Sequence, residues 1–440
     1  MKFLISGELG TDPGTGGNSF AYIASTLTAY WNTLGGPDRA SIVPSAMNLS
    51  GMVLSLQAAP GAGNSRTFAV HKNGAPTALT VTISDTATQA AITGQSIAYA
   101  AGDTISMAQI ATTGAPVVPG RTRWSIVAES VGGEYFNVFG GSVSTVSATG
   151  YRSFQNMGAT WLTSQADAYQ VFPLSGTLTA FYVSANYAPG AGSAWDVSVL
   201  QNGIASAATL HYDATEFGTK AWSGSVAIIA GDTLALEALK TGTANTNFLR
   251  WSATIVPDTP GESAVMSGSP QGPSTTAVNY DEINAVDGGW TPYLSIRYSM
   301  LHDALITQVY AQIGTAPGGA ASWKFTLSDN NADAAAAVTI AGAATTGNAS
   351  CLVDTVAGHL YALKCTPAGS PAAMTGGAHV SFRILMRLPG ADLAGDALAQ
   401  ASASGSLSEQ YQPTAIAKWA NIAAHRDWAN VATHRNWGNP

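Results

Sequence analysis

The sequence predicts an all-β protein: three tandem antiparallel β-sandwich domains of jelly-roll-like build, followed by a short Trp-rich C-terminal tail. Three observations carry this. The chain has 440 residues, more than one hydrophobic core serves and enough for about three domains of ~100–150 residues. Hydrophobic residues make up 46%, charged residues only 10%, and Gly occurs 47 times, so the polar surface must come from Ser, Thr, Asn, Gln and backbone in a turn-rich sheet protein. Finally, one set of motifs recurs three times.

Ala59-Pro60-Gly61-Ala62-Gly63 returns as Ala188-Pro189-Gly190-Ala191-Gly192 and as Ala316-Pro317-Gly318-Gly319-Ala320, at shifts of 129 and 128 residues. Nearly the same shifts carry Leu49 onto Leu178 and Ile306, and Asn73-Gly74 onto Asn202-Gly203 and Asn330-Asn331. They also carry Ala101-Gly102-Asp103-Thr104 onto Ala230-Gly231-Asp232-Thr233 and Ala357-Gly358-His359-Leu360. Trp31, Trp161 and Trp290 keep this register, as do Arg123-Trp124-Ser125 and Arg250-Trp251-Ser252, with Phe382 at the matching place. Six landmarks in one register mark a triplicated domain. The expected limits are 1–129, 130–257 and 258–389, with a linker and Trp-repeat tail over 390–440.

Each landmark reads as a structural device. Leu49 to Leu56 and Leu178 to Ser184 alternate in the manner of strands with one buried face, and Ala-Pro-Gly ends each of them. Thr67 to Lys72 and Trp195 to Gln201 run into Asn-Gly, the pair most tolerant of positive φ, so a hairpin to the alternating run Leu79 to Ile83 is expected. Ser96 to Ala100 and Thr104 to Met107 flank Ala-Gly-Asp as a second expected hairpin, a strand is expected at Trp31, and Trp124 to Val127 closes the copy. The resulting ~7–8 strands per copy suffice for two packed antiparallel sheets.

The tail carries its own repeat: Trp419, Trp428 and Trp437 recur every nine residues, with His425-Arg426 and His434-Arg435 between them. An odd spacing of this kind turns successive rings to opposite faces of either a helix or a strand. Such a segment needs neighbours on several sides, so Trp419, His425, Arg426, Trp428, His434, Arg435 and Trp437 are read as assembly residues.

The net charge of -8 is spread without a basic run or an acidic block, which excludes nucleic acid as an expected partner. No run approaches the ~18 apolar residues of a membrane span, and the first residues lack the apolar core of a secretory signal. A search for chemistry finds Asp281-Glu282 with Asp287 in the third copy only. Two carboxylates there would serve as acid and base in glycoside cleavage, or the segment is a solvated loop before Trp290. His211, Asp213 and Glu216 form a looser group in the second copy.

Neither group recurs in the other copies, and the seven His show no paired metal-ligand spacing. No catalytic residue, metal or cofactor is therefore assigned. Cys351 and Cys365 lie symmetrically about Gly358, which suits either a disulfide across a hairpin turning there or two small buried hydrophobes. Tyr187, Tyr280 and Trp290 are the candidates for stacking on a sugar ring.

The succession of strand, Ala-Pro-Gly-x-Gly, strand, Asn-Gly, Thr80-Val81-Thr82-Ile83 and Ala-Gly-Asp-Thr-Ile over residues 45–127, 174–254 and 302–386 resembles repeated modules in structural proteins of tailed bacteriophages and phage-derived particles, such as head spikes, fibres and tail-associated proteins. The resemblance implies a non-enzymatic virion component assembled in the host cytoplasm. Its implied partners are itself, as a homotrimer, other virion proteins and a host surface glycan. The matched positions are turn residues, so no site residue is transferred from it.

Overall fold

The structure, a computed structural model, describes residues 1–14, 19–25, 31, 39–158, 161–284, 289–294 and 297–386. Asp287 and the tail residues Trp419, His425, Arg426, Trp428, His434, Arg435 and Trp437 lie outside the described residues.

The first copy runs β1 (Lys2–Leu9), β2 (Ser19–Tyr22), β3 (Ser41–Ile42), β4 (Met47–Leu56), β5 (Gly61–Lys72), β6 (Ala75–Asp85), β7 (Gln89–Ile92), β8 (Ile97–Tyr99), β9 (Thr104–Thr113) and β10 (Thr122–Ser130). The second follows as β11 (Phe136–Ser142), β12 (Gly150–Ser153), β13 (Asn156–Gly158), β14 (Gln170–Val171), β15 (Gly176–Ala185), β16 (Ala194–Gln201), β17 (Ile204–Asp213), β18 (Gly218–Ile228), β19 (Thr233–Thr241) and β20 (Leu249–Pro257). The third is β21 (Glu262–Met266), β22 (Asn279–Asp281), β23 (Ser299–Met300), β24 (Ala304–Ile313), β25 (Ser322–Asp329), β26 (Ala332–Ala341), β27 (Thr346–Thr355), β28 (Leu360–Ala368) and β29 (Ala378–Met386).

Each sheet takes its strands from one copy. In the first copy one sheet has the order β1-β10-β4-β7, with β8 also on β4, and the other β2-β9-β5-β6, with β3 also on β9. The second copy repeats this as β11-β20-β15-β18 and β12-β19-β16-β17, and the third as β21-β29-β24-β27 and β22-β28-β25-β26. With split strands counted once, the order in each copy is first-eighth-third-sixth and second-seventh-fourth-fifth. This is the double Greek key of a jelly roll.

The repeated turns show why the motifs stay together. Asn73 and Gly74 hold φ of 50° and 81°, Asn202 and Gly203 52° and 81°, and Asn330 and Asn331 43° and 75°, the two positive φ values of a type I′ hairpin. The first Asn of each pair also reaches the other repeated turn. Asn73 donates to Asp103 Oδ1 at 2.7 Å and accepts from the Thr104 N–H at 2.8 Å. Asn202 does the same with Asp232 and Thr233 at 2.7 and 2.9 Å. In the third copy Asn330 accepts from the Leu360 N–H at 3.0 Å, and His359, in the place of the Asp, bonds Asp329 at 2.8 Å. Asn-Gly and Ala-Gly-Asp-Thr are thus two halves of one hydrogen-bonded end of the sandwich.

Two expected elements differ. The Ala-Gly-Asp segment does not close a hairpin: β8 pairs with β4 and β9 with β5, in opposite sheets, so the turn is an arch from one sheet to the other. Trp31 is not in a strand; it packs in the core, 5.9 Å from the Phe68 ring and 6.3 Å from Trp124. Trp161 and Trp290 repeat the arrangement against Trp251 and Phe325, at 6.3 and 5.9 Å.

The three jelly rolls close on one another. β11, β15 and β20 of the second copy lie against β3 of the first, β24 and β29 of the third against β14 of the second, and β1, β4 and β10 of the first against β23 of the third. β3, β14 and β23 are equivalent, since they pair with Thr104, Thr233 and Leu360 at the starts of β9, β19 and β28. One head-to-tail contact used three times therefore returns to its start, which makes a ring with pseudo-threefold symmetry. The burial pattern follows. On β1, β11 and β21 nearly every residue is buried, because one face meets the copy's own core and the other meets the next copy. On β17, β26 and β27 burial alternates and one face is wet.

A tight fit inside each sandwich gives a test. A Cβ on Gly7 would sit 2.5 Å from the ring of Trp124, its cross-strand partner. Gly140 stands under Trp251 in the same way, while the third copy pairs Val265 with Phe382. Gly7→Val is expected to lower stability by about 1–3 kcal/mol through overpacking. Adding Trp124→Phe, which reproduces the third copy, should restore part of that loss in the chemical denaturation midpoint.

Candidate functional site

The chemistry of the described residues concentrates at the three junctions of the ring. Between the first and third copies, β1 supplies Glu8 and β10 supplies Arg123, with Arg121 just ahead of it. The third copy supplies Asp281 from β22 with Glu282 beside it, and Arg297 from the segment entering β23. Arg121 Nη1 lies 2.8 Å from Glu8 Oε1 and 3.4 Å from Glu282 Oε1, and Arg297 Nη1 is 2.9 Å from the same Glu282 oxygen. Arg123 Nε is 3.4 Å from Glu8 and donates to the Tyr298 carbonyl at 2.6 Å. Asn284 donates to Ser6 Oγ at 3.1 Å.

Glu8, Asp281 and Glu282 are 1%, 1% and 0% exposed, so these carboxyls are met by the guanidiniums around them rather than by water. Burial pushes the Glu8 carboxyl up to about 7; Arg123 opposes this and the Glu282 charge adds to it. Asp281 is held well above the usual carboxylate range by burial and by its neighbour Glu282. Arg297 is raised because Glu282 and Asp281 outweigh the effect of its burial.

The other junctions occupy the same place with other chemistry. Between the first and second copies, Ser45 Oγ meets Thr254 Oγ1 at 2.7 Å, Asn137 donates to the Ser45 carbonyl at 2.9 Å, and Arg250 donates to the Ala40 carbonyl at 3.4 Å. Between the second and third, Gln155 Oε1 accepts from the Met266 N–H at 2.9 Å and the Gln170 amide donates to the Met266 carbonyl at 3.5 Å. His379 on β29 faces this junction, and burial pulls its imidazole down to about 4, so it is neutral near pH 7.

The sequence expectations fall as follows. Asp281 and Glu282 are neither a solvated loop nor an open acid–base pair: they are sealed between copies, where a substrate reaches them only if the junction opens. His211 bonds Asp196 at 2.6 Å, while Glu216 pairs with Lys220 at 2.6 Å and accepts from the Asp213 N–H at 2.9 Å. This loose group is therefore a surface ion-pair cluster, in which Lys220 also donates to the His211 carbonyl at 2.7 Å. Cys351 and Cys365 are free. They stand on β27 and β28, which belong to opposite sheets, so no hairpin carries them past each other. Burial pushes the Cys351 thiol up to about 11 and raises the Cys365 thiol well above its ordinary value, which leaves both unreactive.

Tyr187 is 53% exposed on the loop after β15, Tyr280 on β22 bridges by its backbone to Thr291, and Trp290 is half-buried on Phe325. Tyr187 belongs to a different copy from the other two. Sequence reasoning missed Glu8, Arg121, Arg123 and Arg297. The available signal was a charged residue set among apolar and small strand residues in a chain with 10% charge. Among the described residues no group of three or more His, Cys, Asp or Glu is placed to hold a metal ion, and no helix is long and apolar enough to cross a membrane. No protein-family model matches the chain, and no curated protein matches it significantly.

Two outcomes follow from the ionic junction. Glu282→Ala leaves Arg297 and Arg121 facing each other without their shared carboxylate and is expected to lower stability by about 3–5 kcal/mol, read from denaturant midpoints. Glu8 binds its proton more tightly in the folded chain than the ordinary value of 4.5, so its contribution is fully present below pH ~4.5 and is lost as pH rises to ~7. Stability of the Glu8→Gln chain, measured against the parent across that range, should lack this fall.

Proposed function

We propose that the chain is a non-enzymatic virion structural protein of a tailed bacteriophage or phage-derived particle. In this reading it is a spike, fibre or decoration on head or tail, assembled in the host cytoplasm, that contacts other virion proteins and, at its exposed surface, a host glycan. The observation that carries the proposal is the closed ring of three jelly rolls. The strongest ionisable cluster of the described residues serves to lock that ring, which is the chemistry of a durable building block. A polysaccharide-degrading reading would need the same carboxyls open to substrate.

The ring also bears on the homotrimer expected from the sequence. Three jelly rolls already meet head to tail within one chain, so three chains are not required to make a threefold unit. Self-association and attachment to the particle are assigned instead to the tail, whose Trp419, Trp428 and Trp437 recur every nine residues. A glycan-binding reading has one observation in its favour, the exposure of Tyr187 and Phe217 (53% and 66%) in the second copy, where Ala185 and Gly218 pair at the strand ends beside them.

Antibody raised against the purified chain should label purified particles at fixed positions in electron micrographs, and digestion of those particles should yield its peptides. Labelling confined to the soluble fraction of the lysate, with particles unlabelled, would contradict the proposal.

A further inference from the structure

The pseudo-symmetry of the ring exposes a difference between junctions that points to a ligand. Position 40 of the first copy corresponds to 169 in the second and 298 in the third, two residues before the equivalent β-bridge residues Ile42, Val171 and Met300. Two of the three are tyrosines. Tyr298 lies under the neighbouring copy's Arg123, whose guanidinium carbon is 6.0 Å from the ring centre, and its hydroxyl bonds Asn331 of the type I′ turn. Tyr169 reaches the corresponding turn of its own copy, where a Cβ on Gly203 would fall 2.6 Å from the phenol oxygen. The Tyr298 ring fills the space between its own Asn330-Asn331 turn and Arg123 of the adjoining copy, while Tyr169 packs on Ala168, Leu200 and Ala235 of its own copy.

Position 40 is Ala, and there the space is open. A groove of about 310 Å³ lies between the first and second copies, lined by Ala40, Asn73 and Gly74 on one side and by Ser184, Thr219 and Arg250 on the other. Asn73, Gly74 and Thr219 are exposed, so the groove opens to solvent. Arg250 is the counterpart of Arg123. Ser184 Oγ and Asn186 Oδ1 hold its guanidinium at 3.1 and 2.7 Å, beside the place where the equivalent junction stacks a ring. A cavity shaped for a missing group binds that group from solution when its walls stay in place. Here the walls are a tied guanidinium, which favours an aromatic face, and Gly74, whose counterpart in the second copy, Gly203, lies against the Tyr169 hydroxyl; Asn331, which bonds the Tyr298 hydroxyl, has no side-chain equivalent there.

We propose that this groove is a receptor for one phenol ring, supplied by a tyrosine side chain of a partner protein. The inference is independent of the assignment to a particle. It can be tested on the full chain by saturation-transfer difference NMR and calorimetry with p-cresol and with N-acetyl-tyrosinamide. Both probes are expected to bind at a single site, and Ala40→Tyr, which supplies the ring internally, should abolish both signals while the thermal midpoint holds or rises. Tyr298→Ala opens the equivalent groove under Arg123 and should add a second site.

Absence of p-cresol binding overturns the proposal, as does binding that survives Ala40→Tyr. Unchanged stoichiometry in a folded Tyr298→Ala chain overturns it as well, and this arm does not depend on Ala40→Tyr folding. Binding of p-cresol without N-acetyl-tyrosinamide rejects the tyrosine side chain as occupant. Binding of methyl glucopyranoside in place of both probes, lost in Ala40→Tyr, rejects it in favour of a glycan.

Discussion

The structure depends on one contact: the short second half of each jelly roll's second strand, β3, β14 or β23, set against the outer face of a neighbour's first sheet. A single sandwich of this kind buries the inner faces of its sheets and leaves the outer faces wet. Here the outer faces around β1, β11 and β21 are covered as well. Leu4 and Val127 of the first copy join the apolar core of the third, and Ala264 and Met266 of the third join the core shared by the other two. This accounts for a composition that first looked like a neutral surface. Ser125, Ser252 and Ser381 on β10, β20 and β29, and Ser263 on β21, are 0–1% exposed, and small residues of this kind let sheet faces approach closely.

Pseudo-symmetry of the backbone coexists with divergence of the junctions. The first and third copies are joined by three carboxyls and three guanidiniums, the first and second by hydroxyls and an asparagine, the second and third by glutamines and a neutral histidine. A buried ion pair is weak evidence of net stability, because desolvation offsets attraction. Mismatching it is costly, however, and distinct polar sets discourage a copy from docking on the wrong neighbour. The same divergence leaves Ala at one of three equivalent positions where the others carry Tyr, and so creates a groove that regular repetition would have filled.

Legibility in the sequence followed the range of the interactions. The strand before Ala-Pro-Gly, the Asn-Gly hairpin and the Trp124, Trp251 and Phe382 positions were readable because period, turn chemistry and bulk act locally. The arch at Ala-Gly-Asp was not: a turn between strands of one sheet and a turn between two sheets use the same residues, and Asp103 or Asp232 caps either. A bulky residue in register suggests a strand at Trp31, yet Trp31 lies in no strand and packs on Phe68 and Trp124. Asp281 and Glu282 stand out in the sequence, yet the role of Glu282 at the junction rests on Arg121, 161 residues away in the chain. Only the closed ring brings them together, and no local pattern encodes that closure.

That closure is the central claim, and the contact of Gln89 with Gly358 reports it directly, since the Gln89 amide donates to the Gly358 carbonyl at 3.0 Å across the junction of the first and third copies. Cysteines placed at Gln89 and Ala357, in a chain with Cys351 and Cys365 changed to Ala, should be joined within one chain by a short bismaleimide at high dilution, leaving the mass of a single chain plus one linker. Failure to cross-link, or cross-linking only between chains, would mean that the first and third copies do not meet and that the three jelly rolls form an open string.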